Sequence, residues 1–319
     1  MKVSIGAKVF DGPWGGGNLF VKNLSNTLKS KGHEVVYDLK DNDIDIILLT
    51  DPRKKSESSK FTHREIKKYK SKQNNNVIVV HRINECDERK QTKGVNKFYI
   101  KANKIADHTI FVSQWLKDIY IKSGFSSEEN TVIMAGADSK VFNSEGSVSY
   151  NGKEKLKIVT HHWSNNWNKG FNIYKKLDNL LGEFKWSDKY EFTYIGNLPK
   201  NFIFKNSKVL SPLEGIDLAN ELKNHHLYIT ASLNEPSGNH HIEAAQCGLP
   251  ILFINSGGIP EYCEGFGVSF EEENFNDKLQ EITNNYDKYR NQMGDYKFNA
   301  EKMSHDFINL FELLLSKRQ

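Results

Sequence analysis

The 319-residue sequence predicts an α/β protein built from two Rossmann-like, doubly wound domains. Three observations predict it. Short apolar runs alternate with helical segments through the first half, a polar stretch interrupts that alternation near the middle, and the alternation then restarts. Strands separated by helices imply a parallel sheet covered on both faces, and roughly 150 residues per domain leaves room for two.

Taken in order, residues 3–9 read as a strand, 18–30 as a helix, and 34–37, 44–50 and 76–80 as strands. Residues 109–112 form the next strand. Ser113 follows with the side chain of an N-cap, and 115–122 carry apolar residues at helical spacing. Residues 132–134 complete the first half. The stretch 143–155, rich in Ser, Gly and Asn, is the expected linker. The second half places strands at 157–160, 191–195, 227–230 and 250–253, and an amphipathic helix at 301–315. The expected domains are therefore 1–145 and 155–300, with a C-terminal helix at 301–319 that can pack back on the first. Two such sheets face each other across a cleft at the carboxyl ends of their strands, where this architecture binds ligands.

Composition narrows the function classes. Apolar residues make up 38% and charged residues 26%, so the chain is neither disordered nor membrane-spanning. A net charge of +4 is too mild for a nucleic-acid binder. The basic residues do gather between Lys54 and Lys72, the surface that would touch an anionic membrane if the acceptor were lipid-linked. With no signal peptide read at the start, the expectation is a cytoplasmic protein, peripheral at the inner membrane face in that case. Cys86, Cys247 and Cys263 are odd in number and far apart, which suggests neither disulfides nor zinc. The histidine pairs at 161, 225 and 240 lack the spacing that puts two ligands on one helical face.

The segment 227–264 carries the chemistry. A strand runs into the loop Asn234-Glu235-Pro236-Ser237-Gly238-Asn239 and then into a helix. Such a junction points several backbone N–H groups, with the positive end of the helix dipole, at one spot that suits a phosphate. Glu235 and Glu243 flank that spot, and carboxylates accept hydroxyl hydrogen bonds from sugar and ribose diols.

Glu235-Pro-Ser-Gly, seven residues between the two glutamates, Glu243-Ala-Ala-Gln-Cys-Gly-Leu-Pro and then Gly257-Gly258-Ile-Pro-Glu261 closely resemble the signature of retaining glycosyltransferases of family four, which have the GT-B fold. Gly15-Gly16-Gly17, Lys31-Gly32-His33, Ser113, Gly136-Ala137-Asp138, Lys169-Gly170-Phe171 and Ile195-Gly196 resemble further elements of that family in the same order.

The resemblance implies transfer of a sugar from a UDP- or GDP-linked donor to a glycan, lipid-linked or small-molecule acceptor, with retained configuration. It implies no metal and no cofactor. Glu243 would hold the ribose, Glu235 would contact the transferred sugar, and the backbone of Ser237, Gly238, Asn239 and His240 would meet the sugar and diphosphate. Lys169 would neutralise the leaving diphosphate. Gly16 and Gly17 would let the backbone of the acceptor-side domain come close to diphosphate or acceptor, and His81, placed just beyond its strand, would reach the donor sugar. One departure stands out: relatives carry Gly-Arg upstream of the Lys-Gly pair, whereas this chain reads His161-His162-Trp163-Ser164. Ser164, His162 or Arg82 would then replace that arginine's grip.

Two alternatives remain open at this point. A catalytically degenerate sugar-nucleotide-binding protein would keep these motifs without turnover. A nicotinamide-dependent oxidoreductase would use the glycine loop and Asp38, although the glycines lack the ordered G-x-G-x-x-G spacing.

Overall fold

The computed structural model describes residues 1–12 and 15–318; Pro13, Trp14 and Gln319 lie outside the described residues. It divides into two compact units, residues 1–136 together with 300–319, and residues 137–299. Each unit is organised on one six-stranded sheet whose pairings are all parallel.

The first unit contains β1 (Lys2–Ile5), β2 (Glu34–Val36), β3 (Ile46–Leu49), β4 (Ile78–Ile83), β5 (His108–Phe111) and β6 (Asn130–Val132), in the order β2-β1-β3-β4-β5-β6. Ile46, Ile47, Leu48 and Leu49 are all fully buried, the continuous apolar run of a strand covered on both faces. On one face the helix Gly16–Ser30 contributes Phe20, Val21, Leu24 and Leu28, at helical spacing, to the core. The C-terminal helix Ala300–Ser316 joins the same cluster, with the Phe307 ring 5.1 Å from that of Phe20. On the other face the basic helix His63–Lys72 buries Ile66 and Tyr69; it starts with a capping box between Thr62 and Glu65. Ser113 caps its helix, accepting from the Leu116 N–H at 3.3 Å.

Among the strand limits that differ from the sequence reading, three have a visible cause. β1 stops at Ile5 because Ala7 and Lys8 turn to a loop instead, Ala7 bridging Ser59 and Lys8 donating to the Ser58 carbonyl at 2.8 Å. β6 starts at Asn130, opposite Thr109. β4 runs past residue 80, because β5 offers partners up to the Ile83–Phe111 pair. His81 and Arg82 are therefore strand residues, and their side chains leave opposite faces.

The second unit contains β7 (Leu156–His162), β8 (Tyr190–Gly196), β9 (Lys208–Leu210), β10 (Leu227–Thr230), β11 (Ile251–Ile254) and β12 (Gly267–Phe270), in the order β12-β11-β10-β7-β8-β9. The chain builds outward from β7 in one direction and from β10 in the other. The gap between those two strands is thus the topological switch point, where open α/β sheets bind ligands beyond the carboxyl ends. The edge strands β9 and β12 were not expected from the sequence; each is short, and Lys208 and Val209 face solvent. The polar stretch 143–155 is fastened at its start. Lys223 Nζ donates to Asn143 Oδ1 at 2.9 Å, Arg290 Nη2 to Ser147 Oγ at 2.6 Å, and the Val148 N–H to the Lys223 carbonyl at 2.9 Å.

All three cysteines are buried and free. Among the described residues no helix is long and apolar enough to cross a membrane.

Candidate functional site

In the second unit the site forms where β10 ends. The chain leaves at Ala231 and is pinned on two sides before it becomes a helix again. Toward β7, the Leu233 N–H donates to the Asn168 carbonyl at 2.8 Å. Toward β11, the Asn234 N–H donates to Ser256 Oγ at 3.0 Å and the Gly258 N–H to the Glu235 carbonyl at 2.8 Å. Gly257 makes the second anchor possible. Its φ is +68°, and a Cβ there would stand 2.5 Å from the Glu235 carbonyl oxygen and 2.6 Å from its nitrogen. Glycine alone accepts both conditions.

The loop holds Glu235 buried, at 5% exposure, where its carboxylate pairs with the Lys169 ammonium. Lys169 comes from the turn Trp167–Lys169 that follows β7. After Glu235 the helix Asn239–Gln246 begins at Gly238, with no side-chain cap and no acid in its first turn. The N–H groups of its first turn have no partner inside the helix. Together with Lys169 they create positive potential beside the Glu235 loop, a setting for an anionic group.

Glu243 lies further along the same helix and is buried. His161 Nε2 approaches its Oε2 at 2.9 Å, while the Tyr228 hydroxyl lies 3.2 Å from His161 Nδ1. A tautomer with Nε2–H donating to Glu243 and Nδ1 accepting from Tyr228 satisfies both contacts. Glu243 thus keeps a fixed direction with acceptor capacity to spare, as a diol-binding carboxylate requires.

His162 and His240 are committed elsewhere. His162 Nε2 lies 2.8 Å from the Tyr174 hydroxyl and His240 Nε2 lies 2.8 Å from Thr230 Oγ1. Burial, reinforced by Lys169 and the neighbouring imidazoles, holds both rings well below the ordinary histidine pKa. Both are neutral at pH 7, so His162 does not replace an arginine as a charge. Ser164 Oγ accepts from Asn166 Nδ2 at 2.7 Å and thereby shapes the loop after β7. Ser237, Gly238 and Asn239 are half-buried at the helix start.

In the first unit Gly16 and Gly17 open the first turn of the helix Gly16–Ser30, behind Gly15 at φ +75°. They border a cavity of about 440 Å³ that Thr50, Asp51, Arg53 and Arg82 also line. Arg53 grips Asp51 with Nε at 2.9 Å and Nη2 at 2.8 Å. Burial works against the Asp51 charge, but Arg53 outweighs it and holds the carboxyl below its usual range. The Arg82 guanidinium lies 3.9 Å from the Phe20 ring centre. His81, on the opposite face of β4, is fully buried, bonds Asn103 Oδ1 through Nδ1 at 2.8 Å, and stacks on Tyr99. Burial pushes its pKa down to about 4. The structure therefore brings Gly16, Gly17 and Arg82 to one cavity and sets His81 behind the sheet, away from it.

His161, Tyr228 and Ser256 were not singled out by the sequence. The signal for His161 was its place at the carboxyl end of β7, next to the switch point.

Comparison with known proteins bears on this arrangement. Residues 194–300 match the family of glycosyl transferases group 1. The match spans about a third of the chain and includes Glu235, Glu243 and the Gly257-Gly258 turn. No curated protein sequence matches the chain. Among solved structures, a glycosyltransferase from Rickettsia africae ESF-5 is similar at 13% identity over 98% of both chains, with a TM-score of 0.70. The catalytic domain of starch synthase IV from Arabidopsis thaliana, bound to ADP and acarbose, is similar at 13% identity over 99% of both chains, with a TM-score of 0.74. Anabaena HepE in complex with UDP-glucose is similar at 13% identity over 98% of this chain and 99% of that one, with a TM-score of 0.68. These likenesses establish the fold, two Rossmann-like units of the GT-B type.

Proposed function

We propose that the protein is a glycosyltransferase that moves a sugar from a nucleoside diphosphate sugar to a glycan, lipid-linked or small-molecule acceptor, with retention of configuration. The observation that carries this reading is the grouping of Lys169, Glu235, Glu243 and an uncapped helix N-terminus at the switch point of the second unit. In this reading Glu243, steadied by His161, accepts from the ribose hydroxyls. The diphosphate lies against Lys169 and the N–H groups at Gly238–His240, which stabilise its charge as the sugar leaves. Glu235 accepts from hydroxyls of the transferred sugar. Protein cations and backbone dipoles do this work without an obligatory metal. HepE and the starch synthase were captured with UDP-glucose and with ADP, which puts UDP first, ahead of GDP, among the nucleotides to try here.

The first unit supplies the acceptor side through the cavity at Gly16, Gly17 and Arg82. The test is a thermal-shift screen of UDP, GDP, ADP and their glucose conjugates, followed by release of free nucleotide from whichever donor stabilises the fold. Binding with turnover supports the transferase. Binding without turnover for any acceptor tried leaves a sugar-nucleotide-binding protein, and stabilisation by NAD alone leaves the oxidoreductase.

A further inference from the structure

The basic residues that the sequence gathers between Lys54 and Lys72 are half of a larger face. Right-handed crossovers from β3 to β4 and from β4 to β5 set the helices His63–Lys72 and Val95–Asn103 side by side on one face of the first sheet. The His63 ring, 5.7 Å from that of Phe98, joins them. Arg64, Lys67 and Lys68 are exposed on the first helix, and Lys97, Lys101 and Lys104 are exposed along the second and at its end. Among the described residues none of these six pairs with a carboxylate. Lys70, by contrast, turns to Asp107 at 3.4 Å and leaves the face.

Such a face works against the folded chain on its own. Cations four apart on a helix repel each other, as Arg64 and Lys68 or Lys97 and Lys101 do here, and solvated surfaces ordinarily intersperse acids. Glu65 is the one acid on either helix. It is committed to the helix start, its Oε2 accepting from the Thr62 N–H at 2.8 Å and from the Thr62 hydroxyl at 3.0 Å. Residues 54–104 contain fifteen Lys and Arg but five Asp and Glu, a larger excess than the +4 of the whole chain, so the remainder is net negative. The positive field spans both helices: burial first, then Arg64 from one and Lys101 from the other, lowers the His63 pKa.

We propose that this two-helix face docks the protein on an anionic phospholipid surface. Charge set out in two rows complements a two-dimensional array of headgroups, and its pull reaches about a Debye length, ~10 Å in 0.1 M salt. All but Arg64 of the six are lysines, compact hydrated charges on long stems, which suit headgroups that move. A fixed carboxylate or phosphate is gripped better by the planar fork of arginine. The face also leads to the acceptor side. Lys54 and Lys55 follow Arg53 in the chain, Lys93 follows closely on Lys90, and Arg53 and Lys90 line the cavity at Gly16 and Gly17. Under the reading of that cavity given above, docking holds the acceptor side at the lipid surface.

The experiment sediments the full chain with vesicles of phosphatidylcholine, alone or with about 30% phosphatidylserine, in about 50 mM and about 500 mM salt. Wild type should bind only the mixed vesicles and leave them at the higher salt. Each basic residue near the surface is worth about fivefold in affinity, so Lys97→Gln, Lys101→Gln and Lys104→Gln together should weaken binding about 100-fold. The combination of Arg64→Gln, Lys67→Gln and Lys68→Gln should match it. Glutamine keeps the helix propensity and removes the repulsion, so both variants should fold with unchanged or higher urea midpoints. A control of equal charge, Lys175→Gln, Lys200→Gln and Lys205→Gln on the exposed surface of the second unit, should bind within about threefold of wild type. No binding of wild type to the mixed vesicles, or an equal loss in the control, overturns the inference. Wild type that binds soluble polyglutamate yet ignores the vesicles also overturns it and makes the face a site for acidic polymers. Wild type that binds UDP but no vesicle counts against docking alone, and wild type that binds vesicles but no nucleotide counts against the donor site alone.

Discussion

His161 Nε2 stands 2.9 Å from Glu243 Oε2, and Tyr228 backs the same ring from its other nitrogen at 3.2 Å. The strand β7 thereby fixes a carboxylate that belongs to a helix. Removing the carboxylate and removing its support should have graded effects. Glu243→Ala should weaken UDP binding about 10- to 100-fold, the worth of one or two hydrogen bonds to a charged group. His161→Phe should weaken it by roughly a third to two thirds of that free energy, because Glu243 remains but loses its fixed direction. Calorimetry on the two variants checks the order, and equal UDP affinity in wild type and Glu243→Ala would remove the ribose assignment.

The Lys169–Glu235 pair gives a second test. Both side chains are largely buried, at 14% and 7% exposure. Lys169→Met leaves a buried carboxylate without its cation and should lower stability by about 3 kcal/mol. Adding Glu235→Gln should restore much of that loss, since the uncompensated charge is gone. Turnover should be lost in both. Urea denaturation of the two single variants and the double variant measures the coupling directly, and strictly additive losses would mean that the pair does not interact.

The fold was legible because its signals are local. Alternating apolar runs, the Ser113 cap and the glutamate spacing each act within a few residues, and the strands β7 and β10 that flank the switch point follow from them. What was hidden depends on partners distant in sequence. β4 reaches Ile83 only because β5 lies beside it, so His81 read as a loop residue and proved to be a buried strand residue. His161 looked like half of an ordinary pair, since the residue that gives it meaning, Glu243, is brought close only by the sheet.

The buried His81 makes a pH prediction. Its folded pKa is about 4, below the 6.5 of the unfolded chain. Between those values the unfolded state binds the extra proton. Its contribution to stability is therefore complete above pH 6.5 and is lost as pH falls toward 4, by up to about 3 kcal/mol. Stability measured by denaturant from pH 7.5 to 4.5 should fall steeply in wild type and less steeply in His81→Gln. An unchanged slope would place His81 in a more solvated setting than β4 provides.

In the proposed reading Lys169 and the helix N-terminus meet the diphosphate charge, so turnover should survive excess EDTA. Complete loss, restored by magnesium or manganese, would require a metal that the proposed site leaves out.

The last prediction separates two things a glycine can do. Gly257 and Gly265 both have positive φ, +68° and +87°, so alanine at either position incurs backbone strain of about 1–2 kcal/mol. Their surroundings differ. A Cβ at Gly265 meets nothing within 4 Å, whereas at Gly257 it would stand 2.5 Å from the Glu235 carbonyl oxygen. That neighbour is backbone and cannot rotate aside. Gly257→Ala must therefore push the Glu235 loop or break the Gly258 N–H bond to the Glu235 carbonyl, now 2.8 Å long. Either way the carboxylate moves off the sugar position, and displacements near 1 Å in such sites can lower rates about 100-fold. Gly265→Ala should lose stability alone, with normal turnover per folded molecule. Gly257→Ala should lose more stability and most of its turnover, while keeping nucleotide affinity through Glu243. Measuring urea midpoints, UDP affinity and donor turnover on the two variants side by side decides the matter. Equal turnover in both would show that the Gly257 turn does not position Glu235 for catalysis.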